Sequence, residues 1–502
     1  QTGACQAGIL HGSNQDMPAF RWWEKEHGKA MVTNHPRDAA ELERRHSNGR
    51  GLLHGDGASR ANILSGDAPH SMLTMSTVLD RGRHGRLGQD YFAYFASPYG
   101  VALTLLHALG EVIAERVAAI EQRRRDVHPR IKRGVSYAFV RAFATVVQLD
   151  LQVAAVTADV LAGRPVVYTT FLAYDEVAHH SGVERPDALA TLRRVDRAIA
   201  RIAAAVEHAP RPYELVVLSD HGQSQGATFL QRYGETLEQL VQRHAGGAQV
   251  HAEIGGGEEG RAQVGAGLAE LAAQPTVAGR TAKALAAARD GQSELGLGDE
   301  PAALPAGELP EVAVMASGNL GLISFPREPG RVTLEQIESR RPGLLDALRT
   351  HPGIGFVLVR SQQDGPVVLG ANGRVVLDTG TVEGEDPLAP FGPRAAAHVK
   401  RTDAFPACPD VVVNSAYWEE TDEVAAFEEL VGSHGGLGGG QAHPFVLHPV
   451  GLPWPDEEVV GAEAIHRLLC GWLARVGQDG YASSDSPTAS VATRTSGAVR
   501  AT

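Results

Sequence analysis

Two short runs in this chain stop on side chains that bind metal ions. VVYTTFLAYDEVAHH, from Val166 to His180, carries Asp175, His179 and His180, and ELVVLSDHGQS, from Glu214 to Ser224, delivers Asp220 and His221. A third supply of imidazole lies far downstream, where His434 opens the glycine-rich stretch SHGGLGGGQAHPFVLHP, Ser433 to Pro449. Carboxylate oxygen together with imidazole nitrogen suits zinc or manganese better than calcium, which takes oxygen alone. Taken singly, each histidine has an everyday role, and His180, His443 and His448 read as packing or surface residues rather than ligands. The combination is more specific: an Asp with a His four residues on, an Asp-His-Gly after a strand, and a late His-Gly-Gly.

The elements that must hold these groups follow from the apolar pattern. Both runs begin as β-branched, nearly continuous apolar segments, the signature of a strand buried on both faces. Ligands placed just past the carboxyl end of such a strand line the crevice where α/β folds bind their substrates. Between the runs, Asp187 to His208 carries Leu189, Leu192, Val195, Ile199, Ile202 and Val206 at helical spacing, with arginines opposite. The expected unit is strand, helix, strand, with an Asp/His cluster at each strand end.

The order Asp175-x-x-x-His179, Asp220-His221-Gly222 and His434-Gly435 resembles the alkaline phosphatase superfamily, and within it the type I phosphodiesterase and nucleotide pyrophosphatase branch. Within that branch the chain resembles actinobacterial, membrane-linked members. The resemblance runs from Gln1 to about Pro449. It implies an α/β fold with a mostly parallel central sheet flanked by helices, a helical insertion and a smaller α+β insertion. It also implies two divalent ions, zinc with manganese as the alternative. Asp175, His179 and His434 would hold one; Asp220, His221, the Thr2 oxygen and an Asp on a strand before Gln1 would hold the other. The implied activity is hydrolysis of a phosphoric ester, a phosphodiester or nucleotide pyrophosphate, through a phosphothreonine. A phosphomonoesterase, a lipid head-group phosphotransferase and a non-catalytic metal-binding module are the alternatives.

In QTGACQAGILHG, Thr2 stands ten residues before Gly12, which resembles the family segment where a nucleophilic Thr or Ser starts a helix that ends on glycine. A hydroxyl needs a metal or a base to become a nucleophile, and a helix amino terminus favours an anionic phosphate beside it. The plain alternative is an ordinary N-cap. Relatives often have Pro-Asn-His after the nucleophile, where this chain has Gly3-Ala4-Cys5-Gln6. The family's preceding strand and its Asp are not in the sequence, so an amino-terminally trimmed chain is expected.

Substrate contacts are expected from Asn14 and Arg21, since relatives use an Asn near this point and an arginine fork matches phosphate oxygens. The alternative places Arg21 at the surface. In GRGLLHGDGASRANILSGDAPHSMLTMS, Gly49 to Ser76, small residues allow a loop to approach a ligand, with Ser59, Arg60 and Asn62 as contacts and Ser59 as an alternative nucleophile. Asp56 occupies the position of the sulfatase cysteine.

With 502 residues the chain exceeds a single ordinary core. Its 46 basic and 59 acidic residues leave a net charge of −13, which argues against general nucleic-acid binding, while the resemblance implies a small-molecule phosphoric ester as substrate. Three scattered cysteines make neither a zinc ribbon nor a disulfide framework. No apolar span long enough for a bilayer is evident, so the chain is expected to be soluble, with membrane association of the full-length protein through a segment upstream. Oligomeric state is open.

The expected divisions are a catalytic core over 1–245 with a helical insertion at about 91–163, a Gly/Ala-rich linker over 246–310, an α+β insertion or cap over 311–405, a return to the core over 406–477, and a disordered tail over 478–502. Within the helical insertion, apolar helices flank the basic turn EQRRRDVHPRIKRG. Asp150, Gln152 and Asp159 interrupt the apolar pattern, which favours a hairpin packed on the sheet with a solvated turn over a membrane-surface element.

Overall fold

The computed structural model describes residues 1–80, 94, 97–253, 264, 265, 267 and 309–478. The linker and tail expected from composition fall largely outside them. Helices and sheets alternate through the chain, a mixed α/β arrangement that includes a parallel sheet and fits an alkaline phosphatase-like fold.

The parallel sheet has three strands, His70–Met72, Ala58–Arg60 and Val167–Thr169, with Ala58–Arg60 in the middle. The first Asp/His run therefore begins as the expected parallel strand, and the helix Ala173–Ser181 follows it directly. The second run gives only a two-residue strand, Val217–Leu218, which pairs antiparallel with Val446–Leu447. Between them the helix Pro186–Val206 forms as expected, with proline in its first turn. Its buried stripe is Ala188, Thr191, Val195, Ala198 and Ile202, whereas Leu192 is exposed. The stripe is turned from the one expected because the smaller side chains allow close approach to the helix Gln148–Leu161, against whose Val153 and Val156 Ala198 and Ile202 pack.

The expectation of a mostly parallel central sheet needs correction. The largest sheet among the described residues has eight strands, and only Val250–Glu253 and Val312–Ser317 pair in parallel. Short connections explain this: Val312–Ser317 turns back at Gly318 and Asn319 into Leu320–Ser324, and a turn of that length can only make antiparallel neighbours. Val411–Ser415 lies at the centre, antiparallel to both Leu320–Ser324 and Ile354–Ser361. A boundary between 405 and 406 thus divides a continuous sheet. The single helix expected from Leu334 to Leu348 is two, Leu334–Arg340 and Leu344–Thr350, separated at Gly343, whose φ of 83° no regular helix accepts.

The helical segment contains Pro98–Arg124 and a second helix, Val135–Leu161, which passes through a π turn at Phe143–Val147. The second is long and apolar enough to cross a membrane, contrary to the sequence reading, but most of it is buried inside the fold as a core helix. Asp150, Gln152 and Asp159 are accommodated by pairing: Asp159 takes both Arg60 and Arg164, and Gln152 donates to Thr169 and Thr170.

At the amino end, the helix Thr2–His11 stops at Gly12 in the left-handed conformation. It buries Ala7, Ile9 and Leu10 against Leu52, Leu53, Ile63 and Leu64. Gly8 faces the helix Ala462–Arg475 so closely that a Cβ would stand 2.5 Å from that of Ala462. These contacts hold Thr2 in place.

Candidate metal centre and active site

Asp175 lies in the first turn of the helix Ala173–Ser181, and His179 one turn later faces the same way. Asp175 Oδ2 is 3.2 Å from His179 Nε2, and its Oδ1 is 3.7 Å from His434 Nε2. His434 arrives from the loop after the short strand Gly432–Ser433, which pairs antiparallel with Ser224–Gln225 just beyond Asp220 and His221. This pairing fastens the second and third ligand segments together. The first is tied to them by backbone: Val431 N–H donates to His179 O at 2.7 Å.

Glycine is required where these segments cross. A Cβ on Gly318 would stand 2.0 Å from His434 O, and one on Gly222 would stand 2.2 Å from Gly440 O.

The hydrogen bonds define which imidazole nitrogens of His179 and His221 carry the proton. His179 Nδ1 is 2.7 Å from Gly432 O, and His221 Nδ1 is 3.0 Å from Gly222 O. A carbonyl oxygen only accepts, so each Nδ1 carries the proton and each Nε2 presents a lone pair. At Asp175 and His179 two acceptors therefore converge, an arrangement that calls for a cation. His434 is buried and neither of its ring nitrogens has a hydrogen-bond partner; Asp220 Oδ2 is likewise buried without one. Burial, then the neighbouring His221, holds the His434 imidazole well below its ordinary pKa, so it stays neutral and able to ligate. Asp175, His179 and His434 bring one ligand atom each to within 4.8 Å of one another, a set that fits a metal ion.

The second expected group adjoins the first. His221 stacks on His434 with ring centroids 3.6 Å apart, and its Nε2 is 3.0 Å from Thr2 Oγ1. Asp220 Oδ1 is 3.7 Å from the same Nε2. Burial lowers the His221 pKa, partly offset by Asp220. Thr2, at the first position of its helix, is buried and makes no side-chain cap, so the plain N-cap role does not describe it.

The expected substrate contacts are placed otherwise. Arg21 is buried and turned to Glu428 at 2.7 Å and to Ala316 O, so its fork is already engaged. Asn14 accepts from Arg401 through Oδ1 and donates its backbone N–H to Glu463, in a surface contact with the carboxy-terminal helix. Arg60 is fully buried in a two-pronged pair with Asp159, at 2.7 and 2.8 Å. Ser59 is fully buried among Leu64 O, Thr74 and Asn62, closed to the in-line approach that a nucleophile needs. Asn62 donates to Ser59 Oγ and Tyr168 O and accepts from Thr170, which in turn accepts from Gln6 of the Thr2 helix. All five of these side chains, Asn14, Arg21, Ser59, Arg60 and Asn62, are engaged by partners within the chain, which the sequence does not show: it displays a phosphate-binding group but not the intramolecular partner that claims it.

Gln223 was missed by sequence reasoning. Its amide donates to Asp175 Oδ1 and to the Asp175 carbonyl, which fixes the carboxylate from behind. Its position two residues after His221, on the same side of an extended segment, was the available signal. His180 packs on Tyr137 with centroids 4.0 Å apart, His443 is exposed, and His448 stacks on Trp454, none of them at the cluster.

Residues 109–299 match the family model of type I phosphodiesterase / nucleotide pyrophosphatase. The matched span contains Asp175, His179, Asp220 and His221, while Thr2 and His434 lie outside it. No curated protein matches the chain.

Proposed function

Because the chain is a hydrolase acting on phosphoester bonds, we propose that it cleaves phosphodiester or nucleotide pyrophosphate bonds by way of a phosphothreonine on Thr2. The observation that carries this reading is the 3.0 Å approach of Thr2 Oγ1 to a histidine lone pair that itself stacks against the Asp175, His179 and His434 cluster. Asp175, His179 and His434 would hold one divalent cation, and Asp220, His221 and Thr2 Oγ1 a second, with zinc or manganese matching the ligand chemistry. Bound cations would lower the pKa of the threonine hydroxyl and offset the charge that builds on the phosphoryl oxygens.

The side chains divide the remaining work. Thr2 Oγ1 forms a bond to phosphorus and releases its proton as the ester oxygen leaves. The first N–H groups of its helix would favour the negative charge of the phosphoryl group. Gln223 keeps Asp175 aimed at the cluster. Water then displaces Thr2 from phosphorus and restores the hydroxyl.

The test is acid-quenched turnover of bis(p-nitrophenyl) phosphate and p-nitrophenyl phosphate with zinc or manganese, followed by peptide mass mapping. A phosphoryl group on the peptide containing Thr2, with diester turned over faster than monoester, is expected. Hydrolysis without a covalent adduct, or an adduct elsewhere, would overturn the threonine step.

A further inference from the structure

The helix Pro98–Arg124 is mounted with its charged face inward and its apolar face outward. Glu111 is buried against Arg141 and Arg194, each at 2.8 Å, and Glu115 is buried against Arg141 and Arg133 at 2.5 and 3.1 Å. On the opposite side Leu105, Leu106, Leu109, Ile113 and Val117 are 56 to 66% exposed, with Ile120 at 43%. Their spacing of three and four residues makes a continuous stripe. From Tyr99, itself 79% exposed, to Ile120 the stripe is roughly 30 Å long at the rise of an α-helix. Phe139 and Val135 of the next helix are exposed as well. In water such a helix would be expected to turn the other way; the buried carboxylate and guanidinium pairs pin it as it is.

Charge at the end of the stripe indicates what covers it. The exposed residues from Tyr99 to Ile120 include no acidic side chain, since Glu111 and Glu115 point inward. The same face continues into Arg123 and Arg124, which, like Lys132 in the following turn, are exposed and have no acidic partner among the described residues. Arg123, Arg130, Lys132 and Arg133, with Ala119 and Ile131, line a cavity of about 480 Å³ at this end.

We propose that this face docks on an anionic lipid bilayer, with the stripe from Leu105 to Ile120 at the acyl boundary and the arginine end among the head groups. An amphipathic helix lying in the interface buries its apolar face to that boundary, and basic residues beside it add attraction to anionic lipid. A second copy of this chain would cover the stripe equally well but would gain nothing from the unpaired arginines. The chain's overall charge of −13 opposes approach to such a surface, so binding depends on the local basic end and weakens with salt.

Sedimentation with vesicles of phosphatidylglycerol and phosphatidylcholine, and with phosphatidylcholine alone, tests this. The chain should pellet with the mixed vesicles, and at least 10-fold more weakly with the neutral ones. Removing two arginine contacts costs roughly 10-fold or more at about 1 kcal/mol each, so Arg123→Glu with Arg124→Glu should release it, as should Leu106→Glu with Ile113→Glu. Ester turnover in solution should stay unchanged in both variants, since none of these residues lies at the metal cluster. Absence of pelleting, pelleting that neither variant reduces, or concentration-dependent self-association that Leu106→Glu with Ile113→Glu abolishes without any vesicle binding would each overturn the proposal.

Discussion

Thr2 Oγ1 and His221 Nε2 lie 3.0 Å apart although 219 positions separate them in sequence. The proton on His221 Nδ1 is committed to Gly222 O, so the nitrogen facing the threonine is the one with the lone pair. That relationship gives Thr2→Ala its expected effect. The variant should fold and lose roughly 10³-fold or more of its diester turnover, as for loss of a nucleophile. Thr2→Ser should retain measurable activity. Steady-state rates with bis(p-nitrophenyl) phosphate check both, and an alanine variant within a few-fold of wild type would exclude Thr2 as nucleophile.

His434 presents two buried, unpartnered nitrogens next to Asp175 and His179, so metal should stabilise the fold. Free zinc at about 100 times its Kd should add about 2.7 kcal/mol to unfolding free energy. His434→Ala should reduce bound metal and abolish that increment. Thermal unfolding with and without chelator, alongside metal analysis, measures both; equal metal content in wild type and variant would remove His434 from the ligand set.

Gly318 allows the turn after Val312–Ser317 to pass beneath His434. A Cβ there would stand 2.0 Å from the His434 carbonyl oxygen, at a φ of 59°. Gly318→Ala should therefore cost about 1–3 kcal/mol, the usual range for overpacking, and should lower zinc affinity by displacing His434. Denaturant unfolding and zinc titration give the two numbers, and an unchanged zinc Kd would show that the loop absorbs the methyl elsewhere.

Arg60 is held by Asp159 and cannot also bind substrate. Arg60→Ala leaves Asp159 with Arg164 alone and should destabilise the chain by up to about 3–5 kcal/mol, as for breaking a buried ion pair. The KM of the folded fraction should not move. A KM raised 10-fold with unchanged thermal stability would instead return Arg60 to the substrate.

Glu43 offers a pH signature away from the metal cluster. Burial pushes its carboxyl up, but the His11 imidazole at 2.7 Å and the Ser65 backbone N–H outweigh it and bring it down from 4.5 to about 2. A carboxyl whose folded pKa is depressed contributes stability above the unfolded value and loses it as pH falls through the folded one. The contribution, about 3 kcal/mol at 1.36 kcal/mol per pH unit, should thus be complete above about pH 4.5 and vanish near pH 2. Unfolding free energies of wild type and Glu43→Gln across that window should converge at the acid end; a constant gap would reject the linkage.

Much of the site was legible because its chemistry is local. Asp175 and His179 share a helix face by spacing alone, and Asp220-His221-Gly222 follows the short strand Val217–Leu218 as the apolar run suggests. The strand before Asp175, the helix Pro186–Val206 and the end of the first helix at Gly12 rest on the same short-range rules. Arg21 and Arg60 are placed otherwise because their partners, Glu428 and Asp159, lie 407 and 99 positions away and no local pattern announces them.

The linear order of residues thus determined which carboxylate and imidazole groups the chain carries, their order, and its net charge of −13. Tertiary structure decided which of those groups meet, through the pairing of Gly432–Ser433 with Ser224–Gln225, and that the largest sheet among the described residues is mostly antiparallel. It also decided that the helix Pro98–Arg124 turns its leucines outward. Side-chain identity is a property of one position, whereas convergence and facing depend on long-range pairing and on which buried charges find partners.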